Sequence, residues 1–254
     1  MNKIEVCEKI KKSIRHIIIQ DQSKILSCGT GAVIRADGIL ITARHVIEEE
    51  GHGVYNGKIT AKGIQTELIE YIPAVEGLEI NINLPEYINP ISIDLTILKP
   101  VKPLKNIDFI PLCDDLAQVG TDVIMGGFSD DISLPLDIFE KFNEKNPEMV
   151  KVKKAIDKRF KYYFRQLMFK HAIIGNIQKI TFTEMDVVGA NYWIDNNLTY
   201  GGSGGPLVNL NGELLGVMCK KAFTESKMPV PEKLPSGTGM ALSHHLISWL
   251  LSKI

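Results

Sequence analysis

Short apolar runs separated by turn residues constrain this chain more than any other feature. Ser27 to Ile34 and Gly38 to Thr42 flank Ala36-Asp37-Gly38, a hairpin signal. Further runs follow at Thr66 to Tyr71, Ile93 to Leu98, Asp122 to Gly126, His171 to Phe182, Trp193 to Ile194, Pro206 to Val208, Leu214 to Cys219 and Thr238 to Leu242. Asn211-Gly212 is a dipeptide that favours a tight turn between strands. Many short strands with such turns, and no regular βαβ alternation, indicate an all-β sandwich or barrel.

Three segments depart from that texture. Ile4, Cys7, Ile10 and Ile14 recur at helical spacing and suggest a short amphipathic helix at the start. Leu246, Ile247, Trp249, Leu250 and Ile254 gather on one side of a closing helix over 243–254. Residues 132–170 are long and charged, and Asp137 to Arg165 is expected to be largely helical.

Composition excludes several classes. Twenty-nine Lys and Arg against 30 Asp and Glu leave a net charge of −1, which gives no global sign of a polyanion binder. No apolar stretch approaches the roughly 18–20 residues of a membrane helix. Met1 to Lys12 carries Lys and Glu where a signal peptide carries an apolar run, so the chain is expected to be cytoplasmic. Cys7, Cys28, Cys113 and Cys219 lie far apart and read as small buried residues. The six histidines show no ligand spacing, so neither metal nor cofactor is expected.

Three stretches carry chemistry. Gly201-Gly202-Ser203-Gly204-Gly205-Pro206 surrounds a serine with glycines, which allow tight turns and bare N–H groups beside a nucleophile. Ile41-Thr42-Ala43-Arg44-His45-Val46 ends an apolar run on a histidine, a candidate general base. Ile93-Asp94-Leu95-Thr96 holds an acid inside an apolar run, where a buried carboxylate needs a partner. Singly, these are equally an ordinary turn, a core or surface histidine, and a strand-end aspartate.

Together and in this order, Thr-Ala-x-His, Asp-Leu-x-x-Leu and Gly-x-Ser-Gly-Gly-Pro-Leu resemble the chymotrypsin/trypsin-like serine peptidases, closest to the HtrA (DegP-like) protease domain. Gly29-Thr30-Gly31 and Gly237-Thr238-Gly239-Met240-Ala241-Leu242 extend the likeness. The resemblance implies two six-stranded antiparallel β-barrels, the first over 14–110 and the second over 111–242. The insertion 132–170 would fall in the second, and a helix over 243–254 would close the chain. It also implies that Ser203 attacks a peptide carbonyl, His45 moves the proton and Asp94 orients His45. The N–H groups of Gly201 and Ser203 would form the oxyanion hole, and Asn197, Cys219, Lys220, Thr238 and Met240 would line the substrate site.

The competing α/β-hydrolase reading of Gly-x-Ser-x-Gly needs a strand-to-helix elbow, which Pro206 and the following apolar run disfavour. Gly202 stands where the family usually has Asp or Asn, so activation by pairing with a freed N-terminus is not expected. Its loss of a side chain also suggests an oxyanion loop that orders on substrate or partner binding. Twelve residues follow Leu242, too few for the PDZ domain common in HtrA proteins. No acid falls at the expected pocket base, so a small or medium uncharged side chain is the expected preference. Lys220 or Lys221 would favour acidic residues nearby in the substrate.

Lys151 to Arg165 carries seven basic residues, one acid and four aromatics. A helix laid on the barrel explains it most simply; a regulatory protein partner docking on 132–170 comes next, and single-stranded nucleic acid last. The expected partner is therefore a protein or peptide substrate, with no membrane and an open oligomeric state. Two alternatives to a constitutive peptidase remain at this level: a latent or inactive domain acting as a binding scaffold, and a processing protease activated by a partner.

Overall fold

The computed structural model describes residues 1–22, 24–49, 53–64, 66–77, 79–80, 91–129, 145–152, 154, 165–182, 187–225 and 233–254. Twelve strands make two closed barrels. The first contains β1 (Ile14–Asp21), β2 (Lys24–Val33), β3 (Leu40–Thr42), β4 (Lys58–Lys62), β5 (Ile69–Glu76) and β6 (Thr96–Pro100), in the order β1-β2-β3-β6-β5-β4. Pairing of β1 with β4 closes it. The second contains β7 (Asp122–Gly127), β8 (Met168–Phe182), β9 (Val187–Ile194), β10 (Pro206–Val208), β11 (Leu214–Glu225) and β12 (Lys233–Ser243), in the order β7-β8-β9-β12-β11-β10. Pairing of β7 with β10 closes that one. Closure removes the free strand edges that an open sheet would leave.

The expected hairpins form where the turn chemistry lies. Gly38, at φ +93°, turns the chain from β2 into β3, and Gly212, at φ +71°, turns β10 into β11. These are left-handed conformations that glycine adopts without steric cost. The boundaries of other strands differ from the apolar runs. β5 reaches Glu76 rather than stopping at Tyr71, and β4 has alternating charged ends that gave no run.

One core fills the first barrel and runs on into the face of the second. Ile17, Leu40, Ile41 and Ile97 of the first meet Val208, Leu214 and Val217 of the second in a single buried cluster. A second cluster, including Val123, Met125, Ile174 and Tyr192, fills the second barrel. The first helix, α1 (Lys3–Ile10), buries Val6 and Ile10, whereas Ile4 is 77% exposed. Of the expected stripe, Ile10 is buried and Cys7 packs against the core, but Ile4 points outward with Val6 buried in its place, and Ile14 already belongs to β1. An Asn2–Glu5 capping box holds the start of α1. The C-terminal helix α3 (His244–Leu251) seats Leu246, Ile247 and Leu250 in the shared core, while Ile254 lies beyond it and is exposed.

Within 132–170, residues 147–152 are helical, and the strand β8 has begun by Met168. The rest of the helix expected there, with most of the basic aromatic stretch, lies outside the described residues. No helix among the described residues is long and apolar enough to cross a membrane.

Candidate active site

Short-range packing delivers His45. β3 ends at Thr42, and one helical turn, α2 (Arg44–Ile47), follows from Ala43. Val46 and Ile47 are buried and anchor that turn, which leaves the His45 side chain 47% exposed. Arg44 Nε donates to Glu48 Oε1 at 2.6 Å and ties the turn to the residue after it. Gly29 of β2 must be glycine, because an added Cβ would stand 2.6 Å from Val46 Cγ1 and 3.2 Å from the Ser203 carbonyl oxygen.

Asp94 lies just before β6, on the loop Ile93–Leu95 rather than inside a strand. Ile93 and Leu95 are buried on either side, and Gly77 N–H donates to Leu95 O at 2.7 Å. The carboxylate is thereby presented inward, and the residue is 7% exposed. One oxygen accepts the His45 backbone N–H at 2.9 Å, and the other lies 2.7 Å from His45 Nδ1. An ionised carboxylate only accepts, so the proton of a neutral ring sits on Nδ1 and Nε2 is left basic. That is the arrangement a general base needs, with a buried partner for the imidazolium that would form.

Ser203 comes from the second barrel, on the loop before β10. Its backbone carbonyl accepts Thr30 N–H at 2.8 Å, a bond across the two barrels. Gly204, at φ +84°, leaves only 3.0 Å between an added Cβ and Ala43 N, so the serine loop lies directly against the start of the histidine turn. Among the described residues no hydrogen bond links the Ser203 hydroxyl to the His45 ring. Such contacts are often loose until substrate binds.

The neighbouring N–H groups of Gly201 and Ser203 donate to no acceptor among the described residues. The loop that carries them is pinned elsewhere. Gly202 N–H donates to Thr199 O at 2.9 Å, Gly205 N–H to Gly202 O at 3.0 Å and Gly204 N–H to Met218 O at 2.7 Å. Thr30 is fully buried, and its hydroxyl donates to Gly201 O at 2.6 Å while accepting Phe128 N–H at 2.9 Å.

The expected substrate residues divide. Asn197 is buried, packs towards Gly239, and its backbone carbonyl accepts Lys170 Nζ at 2.8 Å. Lys220 is exposed on β11, and Thr238 is half-buried on β12. Cys219 and Met240 instead turn into the shared core. The Cys219 thiol donates to the Asp94 backbone oxygen at 3.3 Å, and burial, then the Asp94 charge, pushes it well above the usual thiol range. Cys219 thus packs against Asp94, and the Cys219 and Met240 side chains both belong to that buried cluster.

The sequence alone gives no sign of the contacts that Thr30, Lys170 and Arg165 make, nor of the pairing of Lys221 with Tyr200. Thr30 sits in the quoted Gly-Thr-Gly, but its hydroxyl's two partners are 98 and 171 residues away. Lys221 Nζ lies 4.3 Å from the centre of the Tyr200 ring, a cation–π contact at the edge of the serine loop. Among the described residues no group of three or more His, Cys, Asp and Glu side chains is placed to hold a metal ion.

The trypsin-like peptidase domain matches residues 29–217. Three solved structures share the fold. The inactive form of the Rv3671c protease is 19% identical, with 98% of this chain and 92% of that one covered, at a TM-score of 0.60. Its active form, from M. tuberculosis, is 19% identical with 98% and 83% covered, at 0.59. The serine endoprotease from Yersinia pestis is 16% identical with 100% and 66% covered, at 0.61. No curated protein matches the sequence. With the domain match spanning more than half of its length and two closed six-stranded barrels around His45, Asp94 and Ser203, the chain belongs to the trypsin-like peptidase family.

Proposed function

We propose that this protein is a serine endopeptidase acting through Ser203, His45 and Asp94. The observation that carries the reading is the paired contact of His45 with one buried carboxylate, next to a glycine-bound serine. Ser203 Oγ attacks the scissile carbonyl carbon as His45 Nε2 takes its proton, giving a tetrahedral oxyanion. The N–H groups of Gly201 and Ser203 receive that oxyanion. Collapse expels the amine, which takes the proton from His45, and leaves an acyl ester on Ser203. Water, deprotonated by His45, then releases the acid and restores the serine.

The substrate is a protein or peptide. The exposed β11 segment at Lys220 offers its backbone for strand addition. The four free thiols favour a reducing compartment, and we place the protein in the cytoplasm on that ground.

The test is digestion of an unfolded protein, with cleavage sites read by mass spectrometry. Cleavage by wild type, abolished in both Ser203→Ala and His45→Ala, is expected. Equal cleavage by Ser203→Ala would assign the activity elsewhere.

A further inference from the structure

We infer that Arg165 is a positioning residue for the oxyanion hole: it holds the Tyr200–Gly201 peptide so that the Gly201 N–H faces the reacting carbonyl. This rests on the peptidase reading and adds the side chain that sets the geometry of its site.

The argument begins with peptide planarity. In a trans peptide the C=O of one residue and the N–H of the next point in opposite directions. An N–H that binds an oxyanion is therefore aimed by whatever holds the carbonyl on the other side of its plane. Three consecutive peptides surround Ser203 here, and each carbonyl is held by a different group. Gly202 O accepts Gly205 N–H at 3.0 Å, which fixes the plane carrying Ser203 N–H. Gly201 O accepts the buried Thr30 hydroxyl at 2.6 Å, and the N–H of that plane goes to Thr199 O. Tyr200 O accepts Arg165 Nη1 at 3.0 Å, and this plane carries Gly201 N–H.

The first plane is set by a tight turn of the loop itself, and the second by a buried residue of the other barrel. The third depends on one long side chain at the end of the charged insertion. It joins Tyr200, which is 74% exposed, to Gly201 at φ +86°, so neither flanking residue fixes it by burying a side chain. Gly202 adds no side chain that could anchor the loop from within.

Arg165 is itself located by the barrel. The same Nη1 lies 3.3 Å from Phe128 O, at the end of β7, so one nitrogen bridges the barrel wall and the oxyanion loop. A Cβ on Gly201 would fall 1.5 Å from that nitrogen. Glycine at 201 thus serves both the backbone turn and the close approach of the guanidinium. The positive charge beside these carbonyls also favours holding their oxygens toward Arg165 and away from the site.

The experiment compares wild type with Arg165→Ala, Arg165→Gln and Arg165→Lys. Steady-state peptide hydrolysis is read together with the affinity of a peptide boronate, which forms a tetrahedral adduct on Ser203, and of the matching peptide acid, which does not. Losing one oxyanion donor costs about 10²–10³ in kcat, and a misdirected donor should cost a sizeable part of that. Arg165→Ala and Arg165→Gln are expected to lower kcat and weaken the boronate by about 10–100-fold. KM and peptide-acid affinity should stay within about twofold of wild type. Arg165→Lys, which keeps the positive charge and N–H donors on a long side chain, should recover much of the loss.

A kcat within about twofold of wild type in Arg165→Ala overturns the inference. So does a loss shared equally by the boronate and the peptide acid, which would mean general damage to the site. If Arg165→Ala does not fold, Arg165→Gln and Arg165→Lys decide by the same ratio. A wild type that neither cleaves peptides nor binds the boronate contradicts the peptidase reading itself, a result distinct from an active wild type with an indifferent Arg165.

Discussion

Replacing Thr30 with valine keeps the shape of a fully buried side chain and deletes its hydroxyl. Two polar groups lose their partner at once: the Gly201 carbonyl, at 2.6 Å, and the Phe128 N–H, at 2.9 Å. A buried polar group left unsatisfied costs about 1–3 kcal/mol; the Phe128 N–H is buried and meets that cost in full, while the part-buried Gly201 carbonyl adds less. In a chain of this size each kcal/mol moves Tm by about 2–4 °C, and a fall of at least about 2 °C follows. Thr30→Ser is the control, because it keeps both hydrogen bonds and removes one methyl, worth about 1 kcal/mol. Thermal unfolding is read beside peptide hydrolysis at a temperature where all three proteins are folded. Valine should lower kcat about tenfold, since Gly201 O is released next to the oxyanion site, and serine should leave it nearly unchanged. A Tm for Thr30→Val within about 1 °C of wild type, or equal effects of valine and serine, would refute the role given to this hydroxyl.

Other expectations concern groups around the site. Asp94→Asn keeps the size of the side chain but replaces the acceptor facing His45 Nδ1, and should lower kcat by about 10⁴-fold; a loss below tenfold would contradict its orienting role. Burial, with the Arg165 charge adding to it, pushes His16 down from 6.5 to about 3. The folded protein therefore keeps His16 neutral, while the unfolded chain takes up a proton below about pH 6.5. Stability from this group is full above that pH and is lost as pH falls toward about 3, with a limiting slope of about 1.4 kcal/mol per pH unit. His16→Phe, which can still stack on Phe128, should flatten the fall between pH 6.5 and 4 in urea unfolding; parallel curves would contradict this. Cys219 should resist iodoacetamide at pH 8 in the folded protein, because burial and Asp94 disfavour its thiolate; labelling of Cys219 as fast as in the unfolded chain would count against its placement.

The barrels were legible because their physics is local. Alternating apolar runs and glycine turns such as Gly38 and Gly212 mark strands within a few residues of themselves. β4 was not legible, since Lys58 and Lys62 at its ends hide three buried residues between them. On α1 only Ile4 departs from the expected face, because it fits the helical period as well as Val6 does and only tertiary packing chooses between them. His45, Asp94 and Ser203 are singled out in the sequence by the residues around them, whose order is a stronger signal than any one side chain. Cys219 and Met240 are placed at the substrate site by the family resemblance, and their burial in the core cluster is a tertiary property that no local pattern announces. Thr30 and Arg165 act through contacts 171 and 35 residues apart on the chain. No local pattern separates such a residue from its neighbours.

The central claim is that Ser203, with His45 behind it, is a working nucleophile. Intact-mass spectrometry after incubation with a fluorophosphonate tests it most directly, with Ser203→Ala and His45→Ala beside wild type. A single adduct mapped to Ser203 in wild type, absent from the alanine variant at 203 and strongly slowed in the one at 45, is the expected result. A well-folded wild type that takes no adduct, or an adduct that persists in Ser203→Ala, would contradict the account.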